Sequence, residues 1–429
     1  MLTANNFQAV HVVDKSPLVA ATVSKPEQKV LVKQKEAPVT AHFGRYHKKM
    51  ETDVIVKDGI LMDFRHYAKS VLPEDSHLSK NYLVTDRIVD ELYGDQVLNE
   101  MRAAGLDVEK LVMPADNCDE SGESSAEMHK TLKVLSWMID SILDMGIDKH
   151  SCIVSLGGGV VNNLCGFLAS SLYRGISLVH ITTTMMGQSD AAIDFKQAVN
   201  HPRGKNLVGS YYPASKVVCD PATLTTLSDR HLLNGLSECI KHAITQSKDM
   251  LDFILDGIHD MRNTKYLEAV VRMTVEHKAP TLTDYHDSDF NEMCPQYGHA
   301  IGHAVEHLSW HEGFGPALLH GEAIAIGMCV SAEIAYIMDL CDEAVVDKHY
   351  EIFEKAALPV HIPSNMTLDL VLEKLTYDKH YLRCKPTMGL VTDIGNMHLD
   401  EENMCYGIKI DEEILLSAME ANVERRCRS

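Results

Sequence analysis

The sequence has no apolar run that approaches the roughly 18 to 20 residues needed to span a bilayer. Its first residues also lack the order of charged, apolar and small residues that marks a secretory signal. The eleven cysteines show neither metal-type nor disulfide-type spacing, so we expect reduced and mostly buried thiols. Together these absences predict a cytoplasmic protein with no membrane partner.

Basic residues are scarce, since 40 lysines and arginines stand against 61 aspartates and glutamates and leave a net charge of −21. A field of this sign repels nucleic acid, which we therefore exclude as a partner. An anionic small molecule would need a local cluster of lysine and arginine. A chain of 429 residues with 45% hydrophobic content can bury a large core and is expected to fold as two domains.

Short apolar runs separated by polar and helical stretches begin near Thr52 and predict an α/β fold with a parallel sheet. From about Pro221 the strand pattern fades, and helical periodicity continues to the end of the chain. We predict a flexible extension over residues 1–50, an α/β nucleotide domain over 51–220 and a helical domain over 221–429, with the active site in the cleft between the last two. The predicted strands cover residues 53–56, 81–85, 111–113, 151–156, 176–182 and 216–220.

Two consecutive strand ends carry groups suited to binding a ligand. Gly157, Gly158 and Gly159 follow a strand and open a helix, where backbone N–H groups can approach a pyrophosphate. Alone, these glycines are equally typical of a tight turn. The polar turn at 182–190 follows the next strand, and α/β sheets bind their ligands at such adjacent ends.

A basic segment at 196–206 stands out in an otherwise acidic chain. It holds two lysines, an arginine and two asparagines, a mixture that suits a phosphate group. The alternative is a solvated basic loop.

Histidine spacing supplies the strongest local pattern. His299 and His303 stand four residues apart, on one face of a predicted helix. His320 opens a second apolar helix, and a third carries Glu238 and Lys241. One carboxylate and two imidazoles suit a catalytic divalent metal, with zinc favoured. The alternative is a set of core histidines, because some pairs at this spacing arise by chance among 23 histidines.

A series of ordered motifs runs along the chain. The motifs are Gly-Gly-Gly, Tyr-Arg-Gly, Thr-Thr, Asp, Lys-x-x-Val-Asn-His-Pro-x-Gly-Lys-Asn, Glu-x-x-Lys, Gly-His-x-x-Gly-His-x-x-Glu and Leu-His-Gly-Glu-x-x-x-x-Gly-Met. This series resembles the dehydroquinate synthase superfamily from about residue 80 to 395. The resemblance implies a Rossmann-like parallel-sheet domain that binds NAD, followed by a mainly helical domain that binds metal and substrate. It also implies a sugar-phosphate cyclase, with NAD and Zn²⁺ or Co²⁺ as cofactors.

The resemblance assigns roles residue by residue. It places a metal ion on Glu238, His299 and His320. It places the substrate phosphate on Lys196, Asn206, His303 and Lys379, together with Arg174 of a partner subunit, which implies a homodimer. Catalytic roles fall to Lys196, Lys241, His303, Asp190 and Glu292. The residues implied on the NAD side are Asp86, Glu127, Lys130, Gly157, Gly158, Gly159, Asn163, Thr183, Thr184, Asp190 and Lys205.

The implied reaction is a closed redox cycle. NAD⁺ takes a hydride from the substrate, phosphate leaves, the hydride is returned, and an intramolecular aldol step closes a carbocycle. A metal-dependent polyol dehydrogenase would release NADH instead. A non-catalytic scaffold would leave Glu238, His299 and His320 unexplained.

Two departures from the superfamily pattern bear on the substrate. Asn163 stands where dehydroquinate synthases carry aspartate, and Glu292 stands where they carry an arginine that holds the substrate carboxylate. Reversal of that charge would repel a carboxylate. We therefore favour the 2-deoxy-scyllo-inosose synthases, which act on glucose 6-phosphate. Sedoheptulose 7-phosphate cyclases of the valiolone type are the alternative, although many of them lack the counterpart of His303, followed by 3-dehydroquinate synthase.

Overall fold

The computed structural model describes residues 51–114, 126–202, 204–283, 289–310, 314, 317–376, 381–382 and 385–426, together with four short strands before residue 51. The chain divides into two compact units, residues 1–50 and 51–429. In the first unit, β1 (His11–Val12) pairs with β4 (Ala41–His42), and β2 (Leu18–Ala21) pairs with β3 (Val30–Lys33), both antiparallel. The predicted flexibility of this extension falls mostly on residues outside the described ranges and stays a prediction.

A six-stranded parallel sheet organises the first part of the second unit. Its spatial order is β5, β12, β9, β8, β6, β7. Every residue of the central strand β8 is buried, because the sheet is covered on both faces. The predicted α/β fold with a parallel sheet is thus confirmed. The strands are β5 (Asp53–Val56), β6 (Asn81–Asp86), β7 (Val108–Met113), β8 (Cys152–Gly157), β9 (Ser177–Thr182) and β12 (Lys216–Cys219).

Alternation along the strands divides the core into two layers. Leu83 and Val154 face the layer that holds α3, whereas Val84 and Ile153 face the layer that holds α4 and α5. Each helix buries an apolar stripe against its own face of the sheet. The helices of this part are α1 (Ala68–Val71), α2 (Arg87–Val89), α3 (Asp95–Ala103), α4 (Leu132–Asp144) and α5 (Gly159–Ser171).

The strand order reverses between β6 and β8. After β6 the chain moves outward to β7, and it then returns to the other side of β6 to form β8. Ligands of open α/β sheets bind beyond the carboxyl ends of strands at such a reversal. Asp86 ends β6 and Gly157 ends β8, so the topology brings two predicted NAD-binding positions to this point.

The basic segment forms a β-hairpin and not the solvated loop that was the alternative interpretation. β10 (Lys196–His201) and β11 (Gly204–Tyr211) pair antiparallel, and their register shifts between Val199 and His201. The reason is local packing: Ala198 and Val199 are buried, and β10 packs against α5. The lysine and asparagine content had obscured this buried stretch.

Helices dominate the rest of the chain. The longest apolar one, α12, is buried nearly all round and packs against α6, α11, α13 and α15. The helices are α6 (Asp229–Gln246), α7 (Lys248–Gly257), α8 (Thr264–Lys278), α9 (Pro280–Thr283), α10 (Asp289–Met293), α11 (His299–Ser309), α12 (His320–Ile337), α13 (Glu343–Lys355), α14 (Leu368–Leu375) and α15 (Glu412–Arg425).

Short strands interrupt this mainly helical part between residues 381 and 409, where the sequence indicated helical periodicity alone. The strands hold two to five residues, too few for a period-two pattern to emerge from the sequence. The domain division at residue 220 stays a prediction. The strands are β13 (Tyr381–Leu382), β14 (Lys385–Gly389), β15 (Val391–Asp393), β16 (Asn396–Met397) and β17 (Gly407–Lys409).

Within the described ranges, no helix combines the length and apolar character that crossing a membrane requires. Eight cysteines in the same ranges are free thiols, and six of them are buried, as the sequence predicted.

Candidate active site

A cleft of about 990 Å³ lies where the carboxyl ends of the central strands meet the hairpin and helices α11 and α12. It has the size of a site that holds a cofactor together with a small substrate. Most of the predicted site residues line it: Asp86, Glu127, Lys130, Gly158, Gly159, Asn163, Thr183, Thr184, Asp190, Lys196, Lys205, Asn206, His299, His303 and His320.

The other predicted residues lie elsewhere. Gly157, Glu238 and Lys241 are buried behind the described lining. Glu292 is half-buried on α10 and is not part of that lining, while Arg174 is exposed on the surface. Lys379 lies outside the described residues. The roles of all the predicted site residues, whether or not they line the cleft, stay predictions.

The glycine turn comes into direct contact with the polar turn that follows β9. A Cβ atom added to Gly158 would lie 2.8 Å from Thr184 Cγ2, and one added to Gly159 would lie 3.2 Å from Ala191 Cβ. Among the described residues, no side chain caps the start of α5. The first N–H groups of a helix have no partner within the helix and carry partial positive charge. A cofactor pyrophosphate fits this helix end.

Asp86 borders the same end of the cleft. Its carboxylate accepts a hydrogen bond from the Val89 backbone N–H at 2.9 Å and so caps α2. Burial raises the pKa of this carboxyl. The capping bond therefore holds this side chain at the edge of the cleft.

Three residues predicted on the NAD side form one charged cluster. Glu127 Oε1 lies 2.9 Å from Lys130 Nζ and 3.5 Å from Lys205 Nζ, and it accepts a hydrogen bond from Asn200 Nδ2 at 2.8 Å. Burial alone would raise the pKa of Glu127, but the charges of Lys130 and Lys205 outweigh it and lower this pKa to about 2. Asn200 belongs to β10, so the cluster ties the hairpin to the wall of the cleft.

Glu306 joins this cluster to the histidines, and the sequence reasoning assigned it no role. Its Oε1 lies 2.5 Å from Lys205 Nζ, and its Oε2 accepts a hydrogen bond from His320 Nδ1 at 3.0 Å. The available signal was its position three residues after His303, which places it on the same face of α11.

Glu238 faces both predicted histidine ligands. Its Oε1 lies 3.6 Å from His299 Nε2 and 3.4 Å from His320 Nε2, while Lys241 Nζ donates to Oε2 and to the Pro295 carbonyl at 2.8 Å. Burial would raise the pKa of Glu238, but the charge of Lys241 holds it well below its usual range.

One oxygen of the Glu238 carboxylate is also an unsatisfied hydrogen-bond acceptor. Within the described part of the chain, no group donates a hydrogen bond to the fully buried Glu238 Oε1. Buried polar atoms are nearly always satisfied. One carboxylate oxygen with an imidazole nitrogen on either side at 3.4 Å and 3.6 Å is a donor set that fits a divalent cation.

The far sides of both imidazole rings are held. His299 Nδ1 donates to the Tyr297 carbonyl at 3.2 Å, and His320 Nδ1 donates to Glu306. Tyr297 OH in turn donates to His349 Nε2 at 2.9 Å. Such partners on Nδ1 leave Nε2 free to bind a metal.

Two groups of described residues bring one ligand atom each within 4.8 Å of one another, and neither is the predicted set of Glu238, His299 and His320. The nitrogens of His303 come within 4.8 Å of those of His299 and His320, and Asp190, Glu238 and His242 form a second group. Two buried lysines already neutralise the carboxylates of that second group, because Lys278 forms an ion pair with Asp190 and Lys241 forms one with Glu238. Sequence reasoning missed Lys278 because it stands in a helix far from every motif.

Two family models match the sequence of this chain. The model described as 3-dehydroquinate synthase N-terminal matches residues 123–234, and the model described as 3-dehydroquinate synthase C-terminal matches 235–381. A 3-dehydroquinate synthase from Thermodesulfovibrio yellowstonii is 31% identical over 327 residues, which cover 75% of this chain and 86% of the relative. The chain belongs to the 3-dehydroquinate synthase family. A second relative of this chain is a 2-deoxy-scyllo-inosose synthase from Streptoalloteichus tenebrarius. It is 33% identical to the chain over 332 residues, which cover 74% of this chain and 80% of the relative.

Solved structures extend the likeness. The 2-epi-5-epi-valiolone synthase from Streptomyces hygroscopicus, solved with NAD⁺ and Zn²⁺, matches with a TM-score of 0.73 at 25% identity and covers 88% of this chain and 98% of its own. A 2-deoxy-scyllo-inosose synthase solved with carbaglucose-6-phosphate, NAD⁺ and Co²⁺ also reaches 0.73 at 25% identity, covering 86% and 96%. The predicted family and fold class, an α/β part followed by a helical part, are confirmed. The predicted cofactors agree with those that both structures contain.

Proposed function

We propose that this family member is a sugar-phosphate cyclase that binds NAD⁺ and a divalent metal ion and converts a phosphorylated sugar into a carbocycle with loss of phosphate. One observation carries the proposal. The buried Glu238 Oε1 has no hydrogen-bond donor among the described residues and lies 3.6 Å and 3.4 Å from Nε2 of His299 and His320, which line the same cleft as the glycine turn and the hairpin. The proposed metal, cofactor and phosphate positions would therefore lie together in this cleft.

Glu238, His299 and His320 would hold the metal. Gly158, Gly159 and the start of α5 would hold the pyrophosphate, and the remaining NAD-side residues of the cleft would surround the rest of the cofactor. When bound, the metal supplies a Lewis acid and NAD⁺ supplies a hydride acceptor.

Lys196, Asn206, His303 and Lys379 would bind the substrate phosphate. Arg174 of a partner subunit would join them. Lys196 Nζ lies 3.2 Å from Asp194 Oδ2, and Asn206 is exposed at the hairpin with a positive φ of 54°. The Asn206 backbone N–H donates to Asn200 Oδ1 at 3.1 Å, which anchors the turn. A fixed turn can orient the phosphate for elimination.

Asp190 and Lys241 would act beneath the reacting sugar. Lys278 pairs with Asp190 and comes within 3.9 Å of Asp194 Oδ2. The floor of the cleft thus holds carboxylates and ammonium groups in fixed pairs, which can orient sugar hydroxyls and hold a proton near them.

For the substrate, we propose glucose 6-phosphate, with 2-deoxy-scyllo-inosose as product. Asn163 borders the cleft, and among the described residues that line it there is no arginine to hold a carboxylate. A neutral-ended sugar suits such a lining. Sedoheptulose 7-phosphate also has no carboxylate and remains the second candidate, favoured by the likeness to the valiolone synthase.

Phosphate release tests the proposal. Purified enzyme with NAD⁺ and Co²⁺ is incubated separately with glucose 6-phosphate, sedoheptulose 7-phosphate and the carboxylated heptulosonate phosphate of the shikimate reaction. We expect release from one of the first two without accumulating NADH, and we expect deuterium at the oxidised carbon to remain in the product. NADH accumulating in step with product would identify a polyol dehydrogenase instead.

A further inference from the structure

Glu306 uses both of its carboxylate oxygens, and each contacts a different functional group. One oxygen accepts from His320 Nδ1 at 3.0 Å, and the other lies 2.5 Å from Lys205 Nζ. The side chain is only 3% exposed, so both contacts lie away from bulk solvent. A buried pair of this kind depends strongly on keeping both partners.

His320 needs an orienting partner more than the other proposed ligands. Its side chain is 26% exposed, against 10% for His299 and none for Glu238. It also stands at the first residue of α12, where less helix surrounds it. A carboxylate that accepts the Nδ1 proton fixes the ring and leaves Nε2 for a metal.

Lys205 stands on the other side of Glu306. Its Nζ also lies 3.5 Å from Glu127 Oε1, which pairs with Lys130, and 5.2 Å from the Trp310 ring centroid. Two carboxylates and two ammonium groups therefore alternate in a chain that reaches the cofactor side, and its most exposed member is Glu127 at 29%. Removal of Glu306 would leave Lys205 with Glu127 alone.

We propose that Glu306 is a positioning residue that couples the metal side of the cleft to its cofactor side. Its single carboxylate group orients His320 toward the metal and also holds Lys205 toward the cofactor. The inference rests on the metal and NAD sites of the proposed function. It adds that a change at Glu306 disturbs metal binding and NAD⁺ binding together. Changes at Lys205 should disturb NAD⁺ binding alone.

Two substitutions of Glu306 separate the effect of its contact with His320 from the effect of its charge on Lys205. Glu306→Ala removes both contacts, so we expect metal affinity to fall by about 10- to 100-fold. Glu306→Gln retains an oxygen that can accept from His320, so metal affinity should fall less, while the lost charge should still weaken NAD⁺ binding. Lys205→Met should weaken NAD⁺ binding and keep the metal affinity. Chelator competition and the Co²⁺ absorption spectrum report the metal, and calorimetry reports NAD⁺.

Glu333→Gln is the matched control. Glu333 is an equally buried carboxylate on α12 that accepts from Arg425 at 2.6 Å and from Tyr350 at 3.1 Å, and it does not belong to the described cleft lining. Its substitution should lower stability and leave both affinities unchanged. Circular dichroism checks that each variant is folded.

The outcomes are distinguishable. Wild-type metal affinity and an unchanged Co²⁺ spectrum in folded Glu306→Ala would overturn the inference and leave the proposed function standing. Wild-type protein that binds no stoichiometric metal would overturn both. If Glu306→Ala does not fold, Glu306→Gln decides, and unchanged NAD⁺ affinity in that variant would overturn the coupling.

Discussion

The rings of His299 and His303 lie one helical turn apart on α11, with their centroids 5.2 Å apart, and His299 Nε2 lies 3.6 Å from Glu238 Oε1. His320 Nε2 approaches the same oxygen at 3.4 Å. The shared carboxylate supports assigning His299 and His320 to the metal and His303 to the substrate phosphate.

This assignment predicts different losses for neighbouring histidines. Alanine at Glu238, His299 or His320 should remove bound metal and activity while the helices keep their apolar faces and the fold. Alanine at His303 should keep stoichiometric metal and lower kcat/KM about a hundredfold, roughly 2.7 kcal/mol of transition-state binding. Elemental analysis of purified variants measures the metal. Metal loss in His303→Ala would favour a three-histidine site.

A second prediction concerns acid stability through His349. Its Nδ1 donates to the Val345 carbonyl at 2.7 Å, and its Nε2 accepts from Tyr297 OH, so the folded state requires a neutral ring. Burial lowers the pKa of His349 from 6.5 to about 4. The unfolded chain therefore binds more protons between these values, and stability present above pH 6.5 is lost as the pH falls toward 4.

His349→Gln should make this decline shallower, by at most about 3 kcal/mol across the window. The free energy of unfolding, measured with urea from pH 4 to 7.5, reports the slope. Burial also lowers the pKa of His180 and of His242, so part of the decline should persist. An unchanged slope in the variant would show that His349 titrates alike in both states.

A third prediction tests whether Arg174 acts from a partner subunit. The side chain is exposed, as a residue that reaches into another copy must be. Arg174→Ala and His320→Ala should each be nearly inactive alone. A mixed dimer made by coexpression has one site with an intact metal set and an intact partner arginine, so it should recover up to half of the wild-type activity.

The controls for this experiment are the two single variants at the same total concentration. Recovery in the mixed dimer supports a dimer with shared sites. If Arg174 acts within its own subunit, both sites of the mixed dimer are defective and no activity returns. A monomeric wild-type enzyme would contradict the arrangement directly.

Local sequence patterns predicted what depends on local spacing. The glycines after β8 and the four-residue interval between His299 and His303 determine a turn and a helix face by themselves. The pairing of Lys205 with Glu306 could not be predicted this way, because 101 residues separate them and only the tertiary fold brings them together. Lys278 and Asp190, 88 residues apart, meet for the same reason.

The hairpin shows a different limit. Lysines and asparagines in residues 196–206 suggested a loop, and Lys196, Lys205 and Asn206 do line the cleft, but Val199 is buried in the core. The same short segment supplies polar residues to the cleft and forms a strand, so its polar composition hid the strand pattern. Glu292 shows the reverse case, since alignment with the family assigned a role that the described cleft lining does not include.

The last prediction concerns substrate choice. The described cleft lining has no arginine, and three of its four lysines are paired with carboxylates: Lys130 with Glu127, Lys205 with Glu306, and Lys196 with Asp194. A substrate carboxylate would enter without a free partner from these lysines, and an unpaired charge that loses its water costs several kcal/mol. We expect kcat/KM for the carboxylated heptulosonate phosphate to be at least about a hundredfold below that for the better neutral-ended sugar, roughly 2.7 kcal/mol.

Two arginine substitutions test the source of this discrimination. Glu292→Arg restores the charge that the family carries at this position and should narrow the gap. Glu276→Arg, which reverses an exposed charge on α8, controls for net charge and should leave the gap unchanged. Initial rates of phosphate release for each sugar give the ratios. If Glu292→Arg behaves like Glu276→Arg, the discrimination arises from the lining itself, and if the wild type prefers the heptulosonate, the neutral-substrate proposal is wrong.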